Sequence, residues 1–202
     1  MLVIGITGSP GTGKTYFSKI VQDRFKNVDL IELNDIIRKR KAFTHIDKNK
    51  VMTADIRKLN RIIKEQLKQF SEAERKTGKR KVVIYVGHIV PELNIKLDAC
   101  FVMRAHLSLL AKRMAARRYS QEKIKENLIS EAVDYCGTKA KNISKKIYEI
   151  ETYAEKKGAL RILEDLLKDK TLGNKHEAAS KKVIDKMPEL LKMIKNKNIY
   201  KF

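Results

Sequence analysis

The sequence predicts a three-layer α/β/α fold in which a parallel five-stranded sheet lies between two layers of helices. Three observations predict it. The 202-residue chain opens on a continuous apolar, β-branched run, residues 2–7, that suits a strand buried on both faces. Similar runs recur at 82–86 and 99–103, separated by segments with helical spacing, and that alternation gives a parallel sheet covered by helices. Between the first strand and the first helix sits a glycine-rich loop of the Walker A type, Gly8-Ser9-Pro10-Gly11-Thr12-Gly13-Lys14-Thr15.

The length suits one α/β domain, and a 43% share of hydrophobic residues is enough to fill its core. After the loop, residues 13–25 read as a helix with Phe17, Ile20, Val21 and Phe25 on one side. Residues 28–33 read as a second short strand, and Asn34-Asp35 as the cap of a helix starting at Ile36. Residues 49–53 read as irregular. Thr53 is placed to cap a long helix through Ile56, Leu59, Ile63, Leu67 and Phe70, which Thr77-Gly78 stops.

The third strand is 82–86, the fourth 99–103 and the fifth 146–151. Between the last two, helical patterns fill 106–117 and 121–140, joined at Arg118-Tyr119-Ser120. Beyond residue 155 the pattern is helical and lysine-rich. Leu160, Leu163, Leu166 and Leu167 pack one segment, and Gly173-Asn174 interrupts. The last segment sets Val183, Ile184, Met187, Leu190, Leu191 and Ile194 along one side, with Pro188 starting, kinking or breaking it.

No apolar stretch approaches the roughly 18–20 residues that span a bilayer, so no membrane partner is expected. The opening run has neither the basic flank nor the cleavage site of a signal peptide. A cytoplasmic location follows as the expectation, with Cys100 and Cys136 as free thiols in a reducing compartment. Lys and Arg number 45 against 24 Asp and Glu, a formal net charge of +21. Such an excess attracts phosphate polymers, which makes RNA or a ribosomal particle a natural partner. It equally suits a solvated lysine coat, and charge alone does not separate the two. A row of Lys181, Lys182, Lys186, Lys192, Lys195 and Lys197, opposite the last apolar stripe, is the expected place for nucleic-acid contact.

The spelling of the loop follows from phosphate chemistry. Gly8, Gly11 and Gly13 let the backbone curl so that successive N–H groups, that of Thr12 among them, face phosphate. The following helix adds the positive end of its dipole. Lys14 supplies a point charge for the β and γ phosphates, the Thr15 hydroxyl can ligate Mg²⁺, and the Tyr16 backbone N–H can reach the α phosphate. ATP with Mg²⁺ is the expected ligand.

Three further stretches carry a resemblance. They are Val82-Val83-Ile84-Tyr85-Val86-Gly87-His88, Ala99-Cys100-Phe101-Val102-Met103-Arg104, and the run holding Leu109, Arg113, Arg117, Tyr119-Ser120, Lys123-Ile124, Glu126-Asn127 and Glu131. Over residues 1–150 or so the chain resembles the adenylate kinase isoenzyme 6 family, small archaeal and eukaryotic P-loop proteins linked to ribosome assembly. The resemblance implies a P-loop NTPase fold of nucleoside monophosphate kinase type over residues 1–154, with a short lid around 113–140. The basic helical extension, 155–202, then packs on that domain or projects from it.

The resemblance also implies adenylate kinase activity (ATP plus AMP giving two ADP), slow ATP hydrolysis, or both, in assembly of the small ribosomal subunit. AMP or a similar monophosphate is the implied acceptor, and a small-subunit ribosomal protein or rRNA the implied partner. Lys14, His88 and Arg117 take the catalytic positions. Arg117 is the lid arginine that reaches the ATP phosphates, with Arg113 one turn away; a neutral His88 orients the attacking water. Arg38, following Asn34, falls where the monophosphate-binding helix begins and is a candidate phosphate clamp.

Two positions depart from the family pattern. Val86 stands where an Asp or Glu holds Mg²⁺ through water, which leaves Asp35 and Glu92 as the nearest acids expected to substitute. Arg118 replaces the glycine of the lid hinge, which is expected to stiffen the hinge or alter its backbone. Two other functions fit the same residues: an ATP-dependent binding switch with little kinase activity, and a kinase for another small acceptor such as a nucleoside or shikimate.

Overall fold

The computed structural model describes residues 1–46, 52–151, 156–168 and 186–195. In chain order the elements are β1 (Leu2–Thr7), α1 (Lys14–Arg24), β2 (Asp29–Glu32), α2 (Leu33–Lys39), β3 (Phe43–Ile46), β4 (Met52–Ala54) and α3 (Ile56–Thr77). There follow β5 (Val82–Val86), β6 (Ala99–Arg104), α4 (Leu107–Ala116), α5 (Gln121–Ala132), α6 (Tyr135–Ala140), β7 (Ile147–Glu151), α7 (Lys156–Leu167) and α8 (Met187–Lys195). Five strands pair in the order β2-β5-β1-β6-β7, every neighbouring pair parallel. Parallel neighbours cannot be joined by tight hairpins, so the helices cross over and cover both faces.

Alternation along the strands builds the two cores. Ile4, Ile6, Val82, Ile84 and Val86 face one way and pack with Phe17 and Val21 of α1 and Ala159, Ile162, Leu163 and Leu166 of α7. Val3, Val83 and Tyr85 face the other way, with Leu33, Ile36 and Ile37 of α2 and Leu59, Ile62 and Ile63 of α3. A third cluster joins α4, α5 and α8 through Leu107, Leu110, Met114, Ile124, Leu128, Leu190 and Met193. Because β1 lies between β5 and β6, the chain reverses its direction of travel across the sheet there. The loop after β1 therefore opens at the crevice where α/β sheets take their ligands.

Several local expectations need correction. Helix α2 starts at Leu33 directly after the last residue of β2, with no side-chain cap, so Asn34 and Asp35 lie in its first turn rather than before it. An acid there still complements the helix dipole. Thr53 belongs to β4, which pairs antiparallel with β3 in a small hairpin where irregular chain was expected. Asp55 caps α3 instead, accepting from the Lys58 N–H at 2.9 Å. The helix expected over 121–140 is two helices, divided at Asp134, whose backbone is left-handed at φ 51°. Its carboxylate caps α6 through the Gly137 N–H at 3.2 Å and pairs with Arg104.

The end of the chain differs most. Gly173-Asn174, Lys181, Lys182, Val183, Ile184 and Lys197 lie outside the described residues. Pro188 is the second residue of α8 and so starts that helix, where its missing N–H costs nothing. Leu190 and Met193 form the buried face, while Met187, Leu191 and Ile194 of the expected stripe stay exposed. Lys186, expected in a solvent-facing basic row, is only 2% exposed.

Arg118 takes φ 58°, the left-handed backbone that glycine adopts freely and other residues reach at a cost of about 1–2 kcal/mol. Arg118→Gly is therefore expected to keep the fold and to stabilise it by up to about 1 kcal/mol, part of the relief being offset by the unfolded-state entropy of glycine. Thermal melting checks this, and a variant that melts earlier contradicts it.

Candidate functional site

The loop between β1 and α1 is built for close approach of a ligand to backbone. Gly8, Gly11 and Gly13 take φ 136°, 89° and 97°. A Cβ on Gly8 would lie 2.3 Å from the Met103 carbonyl oxygen and 2.9 Å from Thr12 Oγ1, so no side chain fits there. Thr12 is buried and donates from Oγ1 to the Ser9 carbonyl at 2.9 Å, bracing the curl from inside. Helix α1 begins at Lys14 with Gly13 as a cap that offers no side chain. Its first-turn N–H groups thus have no intrahelical acceptor, which is the arrangement that binds anions.

Lys14 folds back over this loop, donating from Nζ to the carbonyls of Gly8 at 2.8 Å and Ser9 at 3.0 Å. Desolvation pushes its pKa down to about 8, against attraction from Glu131 and Glu32 and with a further push from Arg117. The same effect puts Arg117, exposed at the end of α4, within electrostatic reach of Lys14. Arg113 touches the loop itself, donating to the Gly11 carbonyl at 2.6 Å. A Cβ on Gly11 would meet Leu110 at 3.3 Å, so α4 rests directly against the loop. The structure thereby brings Lys14, Arg113 and Arg117 to one edge.

Of the other expected residues, Thr15 and Tyr16 are exposed in the first turn of α1, and Lys156 stands over the Tyr16 ring at 5.7 Å. His88 follows β5, its carbonyl accepting from Thr7 Oγ1 at 3.5 Å and Cys136 Sγ at 3.8 Å. Desolvation, then the charges of Lys14 and Lys123, lower its pKa to about 4, so the imidazole is neutral at pH 7. Its side chain still opens to solvent, and water screens part of that push without reversing it. Arg38 is exposed and faces Asp35 at 4.0 Å, away from the loop's own hydrogen bonds.

Below the loop lies a buried ionic group that the sequence did not reveal. Ser9 donates to Glu131 Oε2 at 2.8 Å. Glu131 also pairs with Arg104 at 3.0 Å and lies 3.9 Å from Lys186, all three side chains being 1–2% exposed. Arg104 further engages Asp134, and Lys186 donates to the Ala105 carbonyl at 2.5 Å. A cation from the lysine-rich end of the chain thus sits two contacts from the P-loop. Burial raises the pKa of Glu131, while Arg104, Ser9 and Lys186 oppose that rise and favour its charge.

Val86 is wholly buried between Ile6 of β1 and Glu32 of β2, its register partners. Neither acid expected to substitute for it is well placed. Glu92 accepts from Tyr135 Oη at 2.5 Å and faces Lys139 at 3.8 Å, and Asp35 is exposed beside Arg38. Glu32, which no sequence pattern singled out, ends β2 directly opposite Val86. A signal was present, since a carboxylate ends a short strand at the carboxyl edge where such sheets bind ligands. Among the described residues no three His, Cys, Asp or Glu side chains gather as a metal cage. The oxygen donors at this edge, Thr15 and Glu32, instead suit a hard cation carried mainly by phosphates.

Comparison with known proteins agrees with this geometry. The model of a family described as an AAA domain matches residues 4–134. A protein named "Putative adenylate kinase" from Methanosarcina mazei is 32% identical over 158 residues, covering 75% of this chain and 79% of that one. One of the same name from Methanocaldococcus jannaschii is 31% identical over 183 residues, covering 90% and 91%. Among solved structures, shikimate kinase from Acinetobacter baumannii superposes with a TM-score of 0.52 at 14% identity, covering 85% of this chain and 96% of that one, a likeness of fold alone. The chain belongs to the family of archaeal adenylate kinase-like P-loop proteins.

Proposed function

We propose that this protein is an adenylate kinase-type phosphotransferase that binds ATP with Mg²⁺ on the Gly8–Thr15 loop and passes the γ-phosphoryl group to AMP or a similar monophosphate. The observation that supports it best is the seating of α4 on the loop through the Arg113–Gly11 hydrogen bond and Leu110, with Arg117 at the C-terminal end of the same helix. In the transfer, a phosphate oxygen of AMP attacks the γ phosphorus, the bond to the β–γ bridging oxygen breaks, and two ADP result. Phosphoryl transfer asks the protein mainly for positioning and charge stabilisation. The loop N–H groups and Lys14 hold the β and γ phosphates, while Arg113 and Arg117 face the charge that builds on the transferred group. Neutral His88 orients the nucleophile by hydrogen bonding, and a group with its low pKa does so without taking up a proton at neutral pH. Thr15 would hold Mg²⁺, which when bound neutralises the β and γ oxygens.

A second reading is an ATP-dependent switch that grips rRNA or a small-subunit ribosomal protein in the cytoplasm; the charge of +21 supports it. ADP formation measured with and without AMP separates the two. AMP-dependent turnover supports the kinase, slow AMP-independent turnover supports the switch, and neither points to another acceptor.

The pKa of Lys14 gives a pH dependence. Below about 8 the ammonium is charged before and after binding, so ATP affinity is flat. Phosphates raise its pKa again, so above that point binding takes up a proton, and affinity falls by up to about tenfold per pH unit. Calorimetry from about pH 7 to pH 9.5 reads this directly, and flat affinity across that range contradicts it. The stability of the free protein moves the other way. Its folded pKa lies below the unfolded 10.5, so the Lys14 contribution rises between about pH 8 and 10.5.

A further inference from the structure

We propose that Glu32 supplies the function Val86 cannot, orienting water on the nucleotide-bound Mg²⁺ beside Thr15. The assignment rests on the reading of the Gly8–Thr15 loop as an ATP site. Its first support is register. Strand β2 pairs with β5 so that Glu32 stands directly opposite Val86. Parallel register partners project to the same face, and on this sheet that is the face of α1, where Val86 and Leu30 pack. The carboxylate therefore leaves the sheet one strand over from the position where P-loop enzymes carry their metal-ordering acid.

The second support is a hydrogen-bonded link to the metal-ligating turn. Ser18, one turn after Thr15 on α1, donates from Oγ to Glu32 Oε1 at 3.2 Å and lies 3.1 Å from the Thr15 carbonyl. That shared hydroxyl ties the acid to the backbone of the residue whose side chain would ligate the cation. Among the described residues no other hydrogen bond or ion pair engages this carboxylate, which leaves Oε2 for a water. Of the other acids nearby, Glu131 is held by Ser9 and Arg104 and Glu92 by Tyr135. Asp35, close enough to act on the charge of Glu32, is exposed beside Arg38 and makes no hydrogen bond to the Thr15 turn among the described residues.

Electrostatics agree with the placement. Desolvation raises the pKa of Glu32 and the nearby Asp35 charge adds to that rise, while the Ser18 hydrogen bond and, less strongly, Lys14 pull it back. Glu32 in turn favours the charged form of Lys14. A half-buried carboxylate that its neighbours only partly compensate gains from a divalent ion one water away.

The test follows the metal rather than turnover. Mn²⁺ is titrated into the full-length protein with ATP, free Mn²⁺ is read by electron paramagnetic resonance, and wild type is compared with Glu32→Gln and Asp35→Asn. Glu32→Gln keeps the shape and can keep the Ser18 bond, and a melting curve verifies its fold. The expected result is Mn²⁺ affinity in the ATP complex lowered about tenfold or more by Glu32→Gln, the scale of losing an outer-shell partner. Asp35→Asn, which removes a charge near Glu32 but no hydrogen bond to the Thr15 turn, is expected to lower it far less than Glu32→Gln does. Metal-free ATP should bind Glu32→Gln as well as wild type, or tighter, since a negative charge has gone. Unchanged Mn²⁺ affinity in Glu32→Gln, or a loss confined to Asp35→Asn, overturns the assignment and leaves the ATP reading intact. A wild-type protein that binds no ATP overturns both.

Discussion

Lys14→Ala weakens ATP binding by at least about tenfold, roughly 1.4 kcal/mol, while the protein stays folded. The loop's backbone donors are neutral, and Lys14 is the side-chain cation that folds across them, 2.8 Å from the Gly8 carbonyl and 3.0 Å from that of Ser9. When phosphate arrives, those two carbonyl bonds exchange for charge-assisted bonds of about twice the strength of neutral ones. Alanine loses that exchange entirely. The fold should not suffer, because desolvation already disfavours the Lys14 charge, as its lowered pKa records. Calorimetric titration with ATP beside a melting curve measures both effects. Equal affinity in the variant contradicts the assignment of the loop.

Lys186→Met lowers stability by about 3 kcal/mol, the lower end of the cost of breaking a buried ion pair. The side chain is buried, donates to the Ala105 carbonyl and stands 3.9 Å from Glu131. Methionine is one atom shorter, fills most of the same space, and leaves that carbonyl without its donor. The figure is not larger because Arg104 keeps hold of Glu131 at 3.0 Å. For a chain of this size the melting midpoint falls by about 10 °C. Glu131 also fixes Ser9, so ATP affinity should drop with stability, although Lys186 touches no loop residue in the described contacts. A surface change such as Lys192→Met serves as reference, since Lys192 is exposed on α8. Equal melting of the two variants would show that Lys186 does not anchor the chain end.

Local features were legible in the sequence and long-range ones were not. The five sheet strands, the Walker A loop and the Gly78 stop of α3 follow from short patterns of apolarity and glycine, and the structure has them in place. The β3–β4 hairpin escaped because β4 has three residues, too few for any period to show. Asp134 broke a continuous helical pattern because Arg104, 30 residues earlier, holds its carboxylate, a contact no local window contains. Lys186 read as surface for the same reason: its partners are Ala105 and Glu131. Glu32 was overlooked because its importance depends on β2 pairing with β5 rather than β1, a matter of strand order. Arg118 is a different case: the departure from a glycine pattern was visible in the sequence, but that the backbone there keeps the left-handed conformation of a glycine was not.

Transfer of a phosphoryl group from ATP to a nucleoside monophosphate is tested by following the phosphorus. The full-length protein is incubated with Mg²⁺, AMP and ATP labelled at the γ phosphate, and the products are separated. Label is expected in the β phosphate of ADP, dependent on AMP and lost in Lys14→Ala. Label recovered only as inorganic phosphate at a rate indifferent to AMP, or retained wholly in ATP, contradicts it.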